Sequence, residues 1–456
     1  MFKKIEIWIL YFTVIILLLF SLLFGLLVRQ ELVGSTKLGW VSKSALFLAE
    51  IPVNIKRLLT VDVYVEDRFP GLKGFSGDSL DYESYILLSR YDVDLHESLV
   101  ELIDLRNFEI LHTWNPDLNL MNKSINTEFE FKYEERDRNE NRARIWSPLL
   151  TSDGGLVFHL YSSPLRKIDE CSKILFENQV DAFRHSIEIN EDQELWVPSY
   201  LYPQQTAKEK IGRQPLYESG FHDDAITKLN SDGEVIFQKS VSDIFIKNGL
   251  EYLLFATGDQ RFTYDPIHLN DIQPVNFDTK YWKKGDLFLS FRHQSMVILY
   301  RPSTDNIIWI GTGPFFHQHD VDILDDHRIS VFNNNSKDFL DGDVVDGNNQ
   351  VVIYDFSTEK YSLYLNEGLI NNDVRTITEG RSQILPNGDL FIEESNYGRT
   401  LFFNNNGDLQ WTHVNRGVNG NIGRVSWSRI LYSERDLRNV KNFLDTLLEG
   451  CIAYTN

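Results

Sequence analysis

The segment Asp265–Asn335 opens as DPIHLNDI (265–272), continues through LSFRHQS (289–295) and FFHQHDVDIL (315–324), and closes on SVFNNN (330–335). Short apolar runs alternate here with polar turns, and His268, Arg292, His293 and His319 fall at the start or middle of those runs. Runs of this length, bounded by Asn, Asp, Gly and Pro, read as strands. The same grain recurs along the chain. Each unit has an apolar strand, a turn of the Asp-Gly or Asn-Gly kind, a second strand and a closing aromatic. The copies span 85–114, 146–176, 185–237, 268–309, 319–364 and 381–411. Six tandem units predict an all-β, six-bladed β-propeller, with the strand pattern RVSWSRILY (424–432) closing the ring against the first blade. A pair of β-sandwiches is the alternative, and tandem repetition weighs against it.

The first strand of each propeller blade lines the central channel, so corresponding positions in different blades converge. His185, His268 and His319 open units three, four and five, and Arg381 holds a similar place in unit six. Arg292 ends the second strand of unit four and is expected at the same mouth. Imidazoles and a guanidinium gathered in one cavity can hold and transfer an anionic group. Any one of these histidines could instead be a satisfied structural residue. A metal reading is disfavoured: His317 and His319 alternate on a strand and face opposite sides, and no HExxH or paired cysteines accompany them. No metal and no cofactor is expected. DGDVVDG (341–347) reads as an exposed turn, and the adjacent Glu393 and Glu394 point apart on a strand and cannot form a hydrolytic pair.

Composition narrows the class. The 456 residues carry 45 basic and 66 acidic side chains, a net charge of −21, which argues against a nucleic-acid partner. Aromatics at 13% favour strands. The apolar run from Ile7 to Val28 is long enough to cross a bilayer, and Lys3 and Lys4 ahead of it place the N-terminus in the cytoplasm. Residues 1–28 therefore read as cytoplasmic tip and anchor of a single-pass membrane protein, with the rest on the periplasmic, extracytoplasmic side; a cleaved signal peptide is the rival. Residues 29–80 read as a helical neck and linker, helical over 29–60 with a break at Pro52 and β-rich from Thr60 onward, 81–433 as the propeller, and 434–456 as a terminal helix with Ser433 as N-cap, followed by a tail. The polar segment 115–144 reads as an exposed insertion. Cys171 and Cys451 either form one disulfide or stay as free thiols.

The motifs HLND, FRHQS and HQHDVDIL followed by VFNNN resemble those of the bacterial arylsulfate sulfotransferases, the type that uses no nucleotide sulfate donor. The resemblance covers roughly residues 140–430 and is strongest between His268 and Asn335. It implies an exported six-bladed propeller that moves a sulfuryl group from a phenolic sulfate donor to a phenol acceptor through a sulfohistidine. On that resemblance His319 is the nucleophile. His268 and Arg292 bind the sulfuryl group, and His185, in a weaker local motif, is the remaining sulfuryl-binding histidine. Asn270 plays a supporting substrate-binding role. Phe315 and Phe316 are candidates for stacking on the phenol, with plain packing as their alternative. Arg292 is expected to depress the pKa of His319, and a protonated His268 to donate to the leaving oxygen. The segment NFDTKYWKKG (276–285) is longer than the family pattern and is expected to reshape the acceptor pocket. A non-catalytic propeller, serving as a binding module at the membrane surface, is the competing function. A hydrolase using the same pocket is the third. Homo-oligomerisation is left open.

Overall fold

The computed structural model describes residues 6–32, 38–59, 64–123, 125, 143–201, 221–256, 263, 265–339 and 342–450. The chain divides into two compact units, one before and one after residue 63 apart from a short later segment. The first unit holds two helices. Helix Ile7–Leu32 is apolar all round over most of its length. By length and composition it can cross a membrane; a signal sequence near an N-terminus has the same makeup. Helix Gly39–Leu59 runs through Pro52, where a break was expected. Proline removes one backbone hydrogen bond, and here the ladder resumes on its far side. The hydroxyl of buried Ser42 donates to Glu31 Oε2 at 2.7 Å, tying the two helices.

The second unit is all-β and propeller-like. Four separate sheets have the four-stranded meander of a blade. The first runs Arg429–Leu431, Tyr85–Asp92, Glu97–Asp104, Glu109–Trp114, so the C-terminal strand does close onto the first unit, with Ile430 opposite Ile86. The next runs Leu269–Pro274, Leu287–Phe291, Met296–Arg301, Asn306–Gly311. Another runs Val321–Ile323, Arg328–Asn333, Gln350–Asp355, Lys360–Tyr364. The last is built from Arg381–Ile384, Leu390–Glu394, Arg399–Phe403 and Leu409–Val414, with Gly74–Gly77 added as a fifth strand. The largest sheet has eight strands, from Trp146–Leu150 to Val235–Ser240. Its two meanders fuse because Ile174–Phe183 reaches across to pair with Leu195–Tyr200, Ser199 opposite Phe183. Units two and three, expected as separate sheets, therefore share one.

Side chains on the innermost strands stitch each unit to the next. The backbone N–H of Ile187 donates to Ser147 Oγ at 3.0 Å, Ile272 to Ser186 Oγ at 3.3 Å and Val321 to Asp271 Oδ2 at 2.9 Å. Ser382 donates to Asp320 Oδ2 at 3.2 Å and Ile430 to Gln383 Oε1 at 3.0 Å, and the Ser147 N–H returns to the Ser426 carbonyl at 3.3 Å. Buried backbone donors need such partners. Glu393 adds two more bonds, accepting from the N–H groups of Trp427 and Ser428 at 2.6 Å each. Neighbouring sheets bury apolar side chains against one another: Phe288 and Val297 meet Val331 and Val352, and Phe332 and Val351 meet Ile392 and Leu401. Gly398, at φ +65, lies so near the Gly423 carbonyl that a Cβ would meet its oxygen at 2.2 Å.

The neck is helical as far as Leu59 and turns to strand beyond it, as the change of grain at Thr60 suggested: Tyr64–Val65 pairs with Ile422–Gly423, and Gly74–Gly77 joins the last sheet. Two sequence expectations change here. In the 276–285 segment, Trp282 is 1% exposed and packs on Phe288 and Phe356, so this segment builds core. Gly342–Val345, within the expected turn, is a strand that pairs with Ser336–Phe339. The terminal helix Glu434–Gly450 forms as expected, with Ser433 Oγ accepting from the Asp436 N–H at 3.1 Å. Cys451 lies outside the described residues, and so does most of the 115–144 insertion.

Candidate functional site

Two of the three predicted histidines enter the site through an unusual backbone. His185 and His268 stand just ahead of inner strands at φ 59° and 58°, in the left-handed region that non-glycine residues seldom adopt. Such conformations persist where the surroundings over-determine them, and they concentrate at functional sites. At His268 the carboxylate of Asp224 holds the kink, accepting from the N–H groups of His268 and Leu269 at 3.1 and 3.3 Å. The carbonyl of His185 lies 3.0 Å from Nε2 of buried His159.

The structure brings His185, His268 and His319 together. The His185 ring lies 5.0 Å from His268 and 6.5 Å from His319. His185 and His319 are each 2% exposed. Arg292 is bound to the same place: its N–H donates to the His268 carbonyl at 3.0 Å, and its Nη1 donates to His293 Nε2 at 2.7 Å. His293 in turn packs 4.3 Å from the His268 ring.

His319 is held as one tautomer. Its Nδ1 faces two oxygens, Asn334 Oδ1 at 2.7 Å and the His317 carbonyl at 3.1 Å, so Nδ1 carries the proton. Its Nε2 accepts from the Glu379 N–H at 3.0 Å. Burial first, and the Arg292 guanidinium second, bring its pKa down to about 3, so the ring is neutral at ordinary pH. Burial would raise the Glu379 carboxyl, but Arg144, donating to both its oxygens at 3.0 Å, and Arg424 hold it below the usual range.

Several members of the site were not foreseen. Arg184 lies between two imidazoles: its Nη2 donates to His185 Nε2 at 2.6 Å and to His268 Nε2 at 3.2 Å, and its guanidinium lies 4.2 Å from the centre of the Tyr200 ring. Its Nε and Nη1 are buried without hydrogen-bond partners among the described residues. The sequence did carry a signal, since Arg184-His185 repeats the Arg-His pair of 292–293. Asp265 was also missed. Its Oδ2 lies 2.5 Å from His268 Nδ1, and the imidazole's N–H keeps that carboxylate ionised against burial. Burial lowers His268 well below the ordinary histidine value despite this partner. The protonated His268 expected from sequence is therefore corrected to a neutral ring, with Nδ1–H on Asp265 and the Nε2 lone pair toward Arg184.

Other predicted residues lie elsewhere. Asn270 is fully buried and donates to the Gln318 carbonyl at 3.1 Å, a tie between two sheets. Phe315, 3% exposed, belongs to the apolar cluster around Val321 and Val352, which corrects its assignment to a phenol site. Phe316 is 43% exposed, with Lys337 Nζ 5.0 Å from its ring centre. Arg381 is buried 3.5 Å from Asp320, in a separate group whose field includes Glu188, Asp271 and Asp322. Among the described residues it makes no hydrogen bond to these histidines.

No curated protein sequence matches this chain. Among solved structures, a protein of unknown function from Bacteroides caccae aligns at 11% identity and TM-score 0.45, covering 77% of this chain and 100% of that one. The WD40 β-propeller domain of Doa1 aligns at 12% identity and TM-score 0.37, over 80% of this chain and 96% of that one. Virginiamycin B lyase from Staphylococcus aureus aligns at 10% identity and TM-score 0.32, over 59% and 70%. At these scores the likenesses carry no functional conclusion. The family profile described as arylsulfotransferase (ASST) matches residues 148–416, a span that takes in His185, His268, Arg292 and His319. The chain belongs to the arylsulfotransferase family.

Proposed function

We propose that this enzyme transfers a sulfuryl group between phenols through a covalent sulfohistidine on His319. The observation that carries the reading is the state of His319: neutral, fixed by Asn334 with Nε2 as its lone-pair nitrogen, and grouped with His185. A neutral imidazole can attack sulfur and later leave it, dividing one hard transfer into two easier ones.

In the first half-reaction Nε2 of His319 gives up the Glu379 N–H and forms a bond to sulfur. The S–O bond to the donor phenol breaks, and the phenolate departs to collect a proton from solvent. In the second, an acceptor phenol gives its proton to Nε2 of His268 while its oxygen attacks sulfur and the N–S bond breaks. Asp265 at Nδ1 stabilises the imidazolium that forms, and that proton passes to solvent as product leaves. Arg184 and Arg292 carry permanent charge and face the oxygens of the transferred group, with His185 beside them. Phe316 serves the aryl ring. Asn270 acts behind the site by tying its sheets, and Phe315 by packing them.

We read the fused eight-stranded sheet as two blades, which with the four separate sheets completes a six-bladed ring around this pocket. We read helix Ile7–Leu32 as an anchor that holds the transfer unit on the periplasmic side. The test is a radiolabelled aryl sulfate given to the full chain without acceptor. Label should appear on the protein, leave when phenol is added, and be absent in His319→Ala. Turnover of the His319→Ala variant at the parent rate defeats the mechanism.

A further inference from the structure

We propose a divalent transition-metal site, for Zn²⁺ or a similar ion, formed by Asp265, His268 and His293 with His222 beside them. Three imidazole Nδ1 atoms surround one carboxylate oxygen. Asp265 Oδ2 lies 2.5 Å from His268 Nδ1, 3.7 Å from His222 Nδ1 and 3.9 Å from His293 Nδ1. The donor atoms of Asp265, His268 and His293 all lie within 4.8 Å of one another. Zinc takes nitrogen at about 2.0–2.1 Å and carboxylate oxygen at about 2.0–2.2 Å in a tetrahedron, so its donors stand roughly 3.3 Å apart. An ion at the centre of the group draws the two long edges in and lets the short one relax, and His293 Nδ1 exchanges its 2.5 Å contact with the Asp265 carbonyl for the metal.

The donor set suits a borderline ion rather than calcium or magnesium, which require oxygens. A second observation points the same way. Asp265 Oδ1 is buried with no hydrogen-bond partner, and no lysine or arginine forms an ion pair with this carboxylate among the described residues. Three imidazole nitrogens around one carboxylate oxygen, with a further acceptor atom left over, is an arrangement a cation completes. The segments supplying these ligands are themselves held in place. Gln294 Nε2 donates to the Pro266 carbonyl at 2.6 Å, and the His293 N–H donates to the Ile267 carbonyl at 3.3 Å. The Tyr200 ring packs at a tilt against the His222 ring, 4.4 Å between centres. Such outer contacts are what orient metal ligands.

The site shares His268 with the proposed transfer chemistry but uses its other nitrogen. An ion on Nδ1 replaces the proton given to Asp265 and leaves Nε2 facing Arg184. Metal binding is read without turnover, so it stands or falls separately from the sulfuryl-transfer reading.

The experiment uses the full chain in detergent, stripped with a chelator and titrated with Zn²⁺ by calorimetry and with Co²⁺ by absorbance. One ion per chain is expected, with the visible bands of tetrahedral cobalt. His293→Ala and Asp265→Asn should each weaken binding tenfold or more, with circular dichroism unchanged. His327→Ala, at the surface group of Asp325, Asp326 and His327, should leave it intact. Absence of saturable binding overturns the site. So does binding that survives both ligand variants, or that disappears with His327→Ala.

Discussion

The backbone N–H of Glu379 donates to Nε2 of His319 at 3.0 Å, so the atom assigned as nucleophile is engaged by the last sheet until a substrate takes its place. Glu379 itself sits at φ 60°, and its carboxylate is gripped by Arg144. Removing one partner of a buried ion pair leaves the other charge stranded, at a cost of about 3 kcal/mol. Arg144→Met should therefore lower the stability of the folded chain by about that amount, with Arg424 at 3.6 Å offsetting part of it. Adding Glu379→Gln should recover most of the loss. Urea unfolding of both variants in detergent checks this. A double variant no more stable than Arg144→Met would show that the pair is not the cause.

Arg184 should matter as much as the predicted Arg292. Its guanidinium bridges His185 and His268, and lysine cannot reproduce two directed bonds from one planar group. Arg184→Lys is expected to lower kcat by about 10²- to 10³-fold, the size of effect seen when a transition-state donor is removed. The Michaelis constant for the aryl sulfate should change far less. A variant in which only the Michaelis constant rises would assign Arg184 to ground-state binding instead.

The nucleophile should show no titration near the ordinary histidine value. With the pKa of His319 held at about 3, kcat is expected to stay free of an acid limb from His319 between pH 7 and about 4. Stability behaves differently. His413, buried beside Phe75, is also brought down to about 3, by burial first and Arg90 second. Between that value and the unfolded value of about 6.5 the unfolded chain binds more protons, so stability rises with pH there. The contribution is complete above pH 6.5 and is lost as pH falls toward 3. His413→Gln should flatten the slope of unfolding free energy between about pH 3.5 and 6. An unchanged slope would mean the group does not titrate in that window.

The two adjacent phenylalanines should separate cleanly. Phe315→Ala opens a cavity among Val321, Val331 and Val352 and is expected to cost about 3–4 kcal/mol of stability. Phe316→Ala removes an exposed ring and should leave stability within about 0.5 kcal/mol. It should instead raise the Michaelis constant for aryl substrates several-fold with kcat little changed. Thermal unfolding and steady-state kinetics on both variants decide it, and a stability loss at Phe316 equal to that at Phe315 would remove it from the substrate surface.

Much of this protein was legible in its sequence because the relevant signals are local. Twenty or more apolar residues after Lys4 make a membrane-length helix whatever follows. Period-two runs between turn residues make strands, and their repetition placed His185, His268 and His319 at equivalent positions, which the structure gathers. Tertiary structure alone decided the rest. The pairing of Ser199 with Phe183 fuses two units into one sheet, and nothing in either strand's own pattern announces it. Arg184, Asp265 and Glu379 reach the site from different sheets and loops, so their role exists only once the inner strands are stitched side by side. Phe315 and Phe316 are identical residues one position apart in the loop between strands Asn306–Gly311 and Val321–Ile323, yet one enters the apolar cluster and the other is exposed. Which of them lies inward depends on how that loop crosses the neighbouring sheets, a long-range property that no single segment encodes.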